Sequence, residues 1–346
     1  MKTTAYCNPG VAGTLFGRLA QRKPAIYAHV TKVGAVVCAV LIQSGAYASC
    51  GSAVCAVNTH WNLQGFAPEP GLRLDLRYEY IDQDQPMAGG DKVAVGQIHR
   101  HHDEIRTINR NYLGTLDYTF NRNWGVSVTV PFVDRSHSHI HNHHGVQLLE
   151  RWNFSRLGDA RVLGRYQLDS EDSEKPAFSF YGINFGLKLP TGVRDVRNAE
   201  GDRAERTLQP GTGTTDALLG AFYSRWLPNA DSAWFVQTLW QKPLNDKEDY
   251  RPGARLSLDV GYRYEATDRV GLMIQLNALY RGRDRGSQAE SEDTGGKFLF
   301  VSPGVGYAIA KGTQIYGFVQ LPLYQYVNGV QLTADWSAVV GITTRF

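Results

Sequence analysis

Acidic residues are missing from the start of the chain. No Asp or Glu precedes Glu69, whereas Lys2, Arg18, Arg22, Lys23 and Lys32 are all basic. That asymmetry argues against an ordinary globular N-terminus and fits an export signal. A basic region ends at Lys32, the apolar run Val33 to Ile42 follows, and Ala46-Tyr47-Ala48 gives the small-x-small pattern of a signal-peptidase site. Long hydrophobic runs are also lacking: residues 33–42 fall well short of the roughly 20 that a transmembrane helix needs. Residues 1–48 are therefore read as a cleaved signal peptide. Removing their five positive charges takes the formal charge from +3 to −2, a balance that argues against nucleic acid as a partner.

Cysteine is scarce, with four in the chain. Cys7 and Cys38 would leave with the leader, and Cys50 and Cys55 would open a periplasmic N-terminal segment, residues 49–70. In an oxidising compartment this pair is read first as a small disulfide loop. Lipid attachment at Cys50 ranks second, since Tyr47 stands where such sites usually carry Leu, and metal binding third. C-x-x-C-H is absent, which excludes covalent haem.

No segment of any length beyond residue 70 has a convincing helical period. What is present is alternation, in a chain holding 18 Tyr, 7 Trp and 36 Gly. In "LRLDLRYEY", Leu72, Leu74, Leu76, Tyr78 and Tyr80 share one face, and Arg73, Asp75, Arg77 and Glu79 the other. The stretches 254–265 and 270–281 repeat the pattern, the sign of strands with one apolar and one polar face. Twelve such segments are expected, near 71–81, 108–120, 123–133, 159–168, 177–190, 215–226, 233–243, 253–265, 269–281, 297–309, 313–325 and 331–346. Short turns alternate with long polar loops at 82–107, 134–158, 191–214 and 282–296.

A soluble sandwich would alternate too. Here, however, the polar faces carry charge, and the apolar faces run for about ten residues, the length a tilted strand needs to cross a bilayer. Aromatics gather at both ends of those faces: Tyr78, Tyr80, Phe132 and Tyr280 at one, Tyr118, Phe120, Trp124, Tyr262 and Tyr264 at the other. The fold class expected is all-β: an antiparallel up-and-down transmembrane β-barrel of about twelve strands over residues 71–346. It would sit in the outer membrane of a Gram-negative bacterium with outer-membrane lipid around it, the long loops outside and the short turns in the periplasm. The closing "AVVGITTRF" ends on Phe346 and resembles the C-terminal signature of such barrels.

The middle of the chain reads "FGLKLPTG" (Phe185 to Gly192), then "QPGTGTTDALLGAFYSRWL" (Gln209 to Leu227). A strand ending Leu-Pro-Thr-Gly, a polar loop and a Pro-Gly-Thr-Gly-x-x-Asp return resemble outer-membrane channels of the phenol meta-pathway degradation type. The resemblance implies a transporter or porin-like role, often inferred for apolar or aromatic compounds, and brings no catalytic residues.

The expected lumen set includes Arg73, Asp75, Arg77, Glu79, Asp117, Arg161, Arg165, Lys188, Arg255, Asp259, Arg263, Glu265 and Arg281. A charged interior suits an aqueous channel. Cross-lumen salt bridges, or residues 49–70 folded inward as a plug, would close it instead, and both readings stay open here.

Eight of the ten histidines lie in two stretches: His99, His101 and His102 in the first long loop, and His137, His139, His141, His143 and His144 in the second. Imidazole is the commonest protein ligand for Zn, Cu or Ni ions. His-x-His-x-His places rings together in an extended segment, with Asp103, Glu104 and Asp134 as nearby carboxylates. No cofactor is required, and the expectation is metal gathering by loops too redundant to fix a single site. A solvated loop without a role and a pH-sensing cluster are the alternatives. H-E-x-x-H and His-x-Ser are both absent, which argues against a zinc hydrolase and against the Ser–His pair of the outer-membrane phospholipases. The sequence thus points to a channel for small molecules or metal ions rather than an enzyme. A non-conducting barrel that binds metal or displays loops is the rival.

Overall fold

The computed structural model describes residues 56–61, 70–99, 101–143, 146–171, 178–227 and 230–346. Residues 1–48, read above as a signal peptide, lie outside them, as do Cys50, Cys55 and His144. The strands in chain order are β1 Gly71–Gln83, β2 Gln85–Ala88, β3 Asp91–Lys92, β4 His102–Thr119, β5 Trp124–His143, β6 Val146–Leu157, β7 Arg161–Glu171 and β8 Phe178–Lys188. They continue as β9 Asp216–Leu227, β10 Ser232–Pro243, β11 Arg255–Glu265, β12 Val270–Arg281, β13 Gly296–Ala310, β14 Thr313–Val327, β15 Val330–Thr333 and β16 Ser337–Arg345.

Neighbours in sequence pair antiparallel all the way round, and β1 closes on β16 from Arg73↔Arg345 to Ile81↔Ser337. β6 and β7 are two pieces of one stave: β5 pairs with β7 below Thr129 and with β6 above Phe132. The result is a closed barrel of twelve staves, as the alternation leads one to expect. β2, β3 and β15 form a small separate sheet.

The barrel's polarity is inside out. On β12, Leu272, Ile274 and Leu276 are 49%, 47% and 44% exposed, while the intervening Gln275 and Asn277 are 1% and 0%. Leaving that much apolar side chain in water over a whole sheet face would forfeit about 0.7–1.5 kcal/mol per residue. Only a lipid surround makes the arrangement favourable, and closure leaves no backbone edge unpaired in it. Among the described residues no helix is long and apolar enough to cross a membrane; the apolar belt lies on the strands.

Above Phe132 the pattern inverts. The outward positions of β5 become Asp134, Ser136, Ser138, Ile140 and Asn142, polar in all but one place, while Val133, His137 and His139 point inward and are buried. The strands have left the bilayer here, so the outer face meets water and the inner face needs a core. Val133 supplies it with Trp152 and Phe154 of β6 and with Val196, Ala204 and Leu208 of the 189–215 loop. Much of the two long segments expected as loops, 82–107 and 134–158, is therefore strand. β5 alone runs 20 residues.

Candidate metal centre and barrel interior

A β-bulge sets up the candidate metal centre. The register between β4 and β5 shifts between Glu104 and Arg106, so Thr107 faces His137 and Glu104 faces His139. The extra residue, Ile105, resets the alternation of β4. Glu104 and His102 thereby share the inward face with Thr107 and Asn109. On β5, His137, His139 and His141 take the same face by simple alternation.

The side chains form a chain of contacts. Thr107 Oγ1 lies 2.8 Å from His137 Nδ1, and His137 Nε2 is 3.1 Å from His139 Nδ1. His139 Nε2 and His141 Nδ1 then reach the two oxygens of Glu150, at 3.1 and 3.2 Å. His102 stacks on His139 with ring centroids 4.4 Å apart, and its Nδ1 is 2.9 Å from Glu205 of the 189–215 loop. His101 Nδ1 approaches His102 Nε2 at 3.1 Å. Trp152 covers His137 and His139 from β6. Three groups bring their ligand atoms within 4.8 Å of one another: Glu104 with His137 and His139; His102 with His139 and Glu205; and His101 with His102 and His141.

The first group is the best formed. His137 Nε2 is 3.1 Å from His139 Nδ1 and 3.5 Å from Glu104 Oε2. These separations bracket the edge of about 3.3 Å of a tetrahedron with metal–nitrogen bonds near 2.05 Å. The Glu150 carboxylate accepts from His139 Nε2, which leaves a lone pair on Nδ1 aimed at His137. Thr107 can give its hydroxyl proton to His137 Nδ1 or take one from it, so a metal arriving at Nε2 requires only a switch of tautomer.

Electrostatics point the same way. Burial, followed by the Arg135 and His102 charges, holds His137 at about 3. Burial and the neighbouring imidazoles hold His139 down to about 2. Both rings are therefore neutral, as ligands must be. The Glu104 side chain is fully buried, and neither of its oxygens accepts a hydrogen bond. Burial, then Glu205, Asp103 and Asp293, push its carboxyl well above the ordinary range. Glu290, which shares a hydrogen bond with Glu205, is raised likewise by burial, Glu205 and Glu104. No Lys or Arg among the described residues pairs with Glu104, Glu205 or Glu290. A buried carboxyl group without a donor or a cation is costly unless something positive joins it.

Of the eight histidines read as metal candidates, the structure unites His101, His102, His137, His139 and His141. His99 is exposed and stands apart, and His143 lies at the end of β5. The expectation of loops too redundant to fix a site fails for His102, His137, His139 and His141, because paired strands hold them, and His101 directly precedes β4 with its carbonyl accepting from Asn142 N at 2.7 Å. Glu205 has no local sequence signal, and that of Glu150 is only its alternation with Trp152 and Phe154. Glu150 joins by strand pairing, opposite His139 across the β5–β6 hairpin, and Glu205 by a loop 103 residues from His102.

The expected lumen residues form networks. Arg165 pairs with Asp117 at 3.2 Å, and Lys188 with Asp159 at 2.8 Å. Arg77 pairs with Glu79 at 2.9 Å, Arg281 with Asp284 at 2.8 Å, and Arg263 with Glu265. Arg73 stands opposite Asp117 on β4. Arg161 and Arg255 have no carboxylate partner among the described residues.

The segment Ala56–Trp61 lies inside the barrel. Asn58 Nδ2 donates to Gln237 Oε1 at 2.7 Å and to Asp259 Oδ2 at 3.2 Å, while its backbone exchanges two hydrogen bonds with Gln275, each 2.9 Å. Trp61 Nε1 donates to Asp75 Oδ2 at 2.9 Å, and Arg77 to Thr59 Oγ1 at 2.8 Å. Val57 and Trp61 pack on Met273, Tyr316, Phe318 and Val339. A periplasmic position, expected for residues 49–70, is thus corrected for these six: polar wall groups and an apolar patch compensate their burial. Beside the segment a cavity of about 440 Å³ remains, lined by Arg77, Glu79, Arg161, Lys188, Arg255 and Asp259 among others.

No family model and no curated protein matches the chain. Among solved structures, an outer membrane channel from Pseudomonas putida F1 superposes with a TM-score of 0.62 at 15% identity, covering 84% of this chain and all of that one. The NanC porin gives 0.41 at 9% identity over 79% of this chain and all of its own. The transport unit of the autotransporter AIDA-I from Escherichia coli gives 0.43 at 10%, over 85% and 93%. The first likeness carries the fold, and the other two add no argument. An apolar outer belt on this fold makes the chain an outer-membrane β-barrel of Gram-negative type.

Proposed function

We propose that the chain is an outer-membrane channel for small solutes, with a divalent transition-metal site built into its outer mouth from Glu104, His137 and His139. Zn²⁺, Cu²⁺ or Ni²⁺ suits the imidazole–carboxylate set. The orphaned carboxyl of Glu104, buried against two neutral imidazoles whose other nitrogens are engaged, is the observation that carries the metal. His102 with Glu205 offers a second position in reach of the first. The charged cavity beside Ala56–Trp61 supports passage, in keeping with the word channel in the name of the Pseudomonas putida protein.

The motif residues that resemble phenol meta-pathway channels serve another purpose. Gly192 N and Thr212 N both donate to Asp159, at 2.9 Å each, and Lys188 joins the same carboxylate. They tie the base of the 189–215 loop to the barrel, so they lend no support to an apolar or aromatic solute.

The occupied lumen favours a second reading, a barrel that binds metal without conducting. Planar-bilayer recording of the refolded mature chain, before and after Zn²⁺, separates the two. Discrete current steps are expected, altered by Zn²⁺ in the native chain and unaltered after Glu104→Gln with His137→Ala. A silent bilayer from folded, inserted protein would leave only the binder. Unchanged calorimetric Zn²⁺ binding in that double variant would remove the proposed ligand set.

A further inference from the structure

On the outer face, at the extracellular end of β10 to β14, lies a cleft of about 830 Å³. Six cations line it: Lys242, Arg251, Arg281, Arg283, Arg285 and Lys297. No carboxylate does. Two of the six are already neutralised from behind, Arg251 by Asp246 at 3.2 Å and Arg281 by the buried Asp284 at 2.8 Å. Arg283 donates to the backbone oxygen of Ser291 at 2.7 Å. Lys242 sits 5.8 Å over the Trp240 ring. Among the described residues, neither Lys242, Arg285 nor Lys297 has an ion-pair partner, and all three are exposed.

The height of this cleft decides what it meets. Lys297 stands opposite Tyr280 on one side and Tyr326 on the other. Tyr280, Tyr324 and Tyr326 line the cleft and are 50%, 52% and 41% exposed. They belong to the upper aromatic girdle, which marks the boundary between acyl chains and headgroups. A ligand here has its apolar part below the tyrosines, in the bilayer, and its polar part among the cations. A free anion would satisfy only half of that surface.

We infer that this cleft binds a phosphorylated glycolipid of the outer leaflet, its phosphate groups held by Lys242, Arg285 and Lys297 and its acyl chains lying along the tyrosine-lined face of β12 to β14. Arg285 offers the planar fork that suits phosphate oxygens, and the two lysines offer point charges. The site does not depend on the metal centre or on conduction.

Native mass spectrometry of the full chain in detergent tests the inference. The probes are bis-phosphorylated lipid A, the same lipid enzymatically dephosphorylated, and inorganic phosphate as competitor. The phosphorylated lipid should be retained at least tenfold more strongly than its dephosphorylated form, and millimolar inorganic phosphate should not displace it. Arg285→Gln with Lys297→Gln should weaken retention about tenfold, whereas Arg122→Gln with Lys311→Gln, at the opposite end of the barrel, should leave it unchanged. These side chains are exposed, and heat-modifiable migration on gels checks that each variant is folded. Equal retention of the dephosphorylated lipid, or full retention by the Arg285/Lys297 variant, would overturn the inference. Displacement by inorganic phosphate would make the cleft a plain anion site and overturn its assignment to lipid.

Discussion

Replacing Asn58 by Ala tests whether Ala56–Trp61 governs passage through the lumen. Among the described residues the Asn58 side chain makes three hydrogen bonds: Nδ2 to Gln237 Oε1, Nδ2 to Asp259 Oδ2, and Oδ1 from the backbone N of His60 at 2.9 Å. The bond to Gln237 and the bond within the segment are each worth about 1 kcal/mol net, and the one to the carboxylate about 1.5–3. Asn277 Nδ2 still holds Asp259 Oδ1 at 2.9 Å in the variant, which keeps the loss at the lower end. Counting the two bonds that cross to the wall, the segment should then be held about 2.5 kcal/mol more weakly, a shift of roughly 70-fold in its docking equilibrium. The backbone exchange with Gln275 survives, so the wall keeps its shape. In single-channel recordings the native chain should show long closed or low-conducting dwells, and Asn58→Ala should show frequent full openings. Asn58→Asp, which sets a second carboxylate beside Asp259, should open it at least as far. If both variants fold and insert, as judged by heat-modifiable migration, and their dwell times match the native ones, the segment does not occlude the passage and the reasoning fails.

Two further predictions concern the same lumen. Burial, opposed by Asp117 and reinforced by Arg165, Arg77 and Arg161, lowers His60 to about 4. Since 6.5 is its ordinary value, docking is fully supported above pH 6.5 and loses support as pH falls toward 4. At pH 5 the loss is about 2 kcal/mol, so open dwells should rise roughly 30-fold between pH 7.5 and 5, and His60→Gln should flatten that profile. An equal rise in the variant would assign the effect elsewhere. The cavity also holds more cations than carboxylates, with Arg161 and Arg255 lacking carboxylate partners, so small anions should pass more readily than cations. The reversal potential in a salt gradient should move toward that of the cation after Arg161→Gln with Arg255→Gln, and a native channel that already favours cations would refute the assignment.

The barrel was legible because the bilayer imposes one rule on every stave. Apolar residues face out and polar residues face in at period two, and the segments from 253 to 265 and from 269 to 281 give β11 and β12 within two residues. The same rule hides the extracellular strands. Once β5 passes Phe132 its outside is wet, and the alternation continues with its sense reversed: Ser136 and Ser138 outside, His137 and His139 inside. A search for apolar-outward strands stops at that inversion and leaves the histidines in a loop. In "ERWNFS", Glu150, Trp152 and Phe154 alternate with Arg151, Asn153 and Ser155, which is a signal for an inward core above the membrane.

Other features have no one-dimensional trace. The bulge at Ile105, which moves Glu104 onto the histidine face, appears only when β4 is paired with β5. Glu205 reaches His102 only because its loop is anchored at both ends. At that anchor Gly192 and Gly211 pack backbone on backbone, and a Cβ on Gly211 would lie 2.6 Å from the Gly192 carbonyl carbon. Leu-Pro-Thr-Gly and Pro-Gly-Thr-Gly are thus the two halves of one clasp closed on Asp159 and Lys188. The clasp holds the 189–215 loop down on the β5–β6 extension, and Glu205 comes to His102 with it. The motif that suggested a transported solute and the histidines that suggested a metal are therefore parts of one assembly, in which the clasp sets the loop and the loop brings Glu205 to His102.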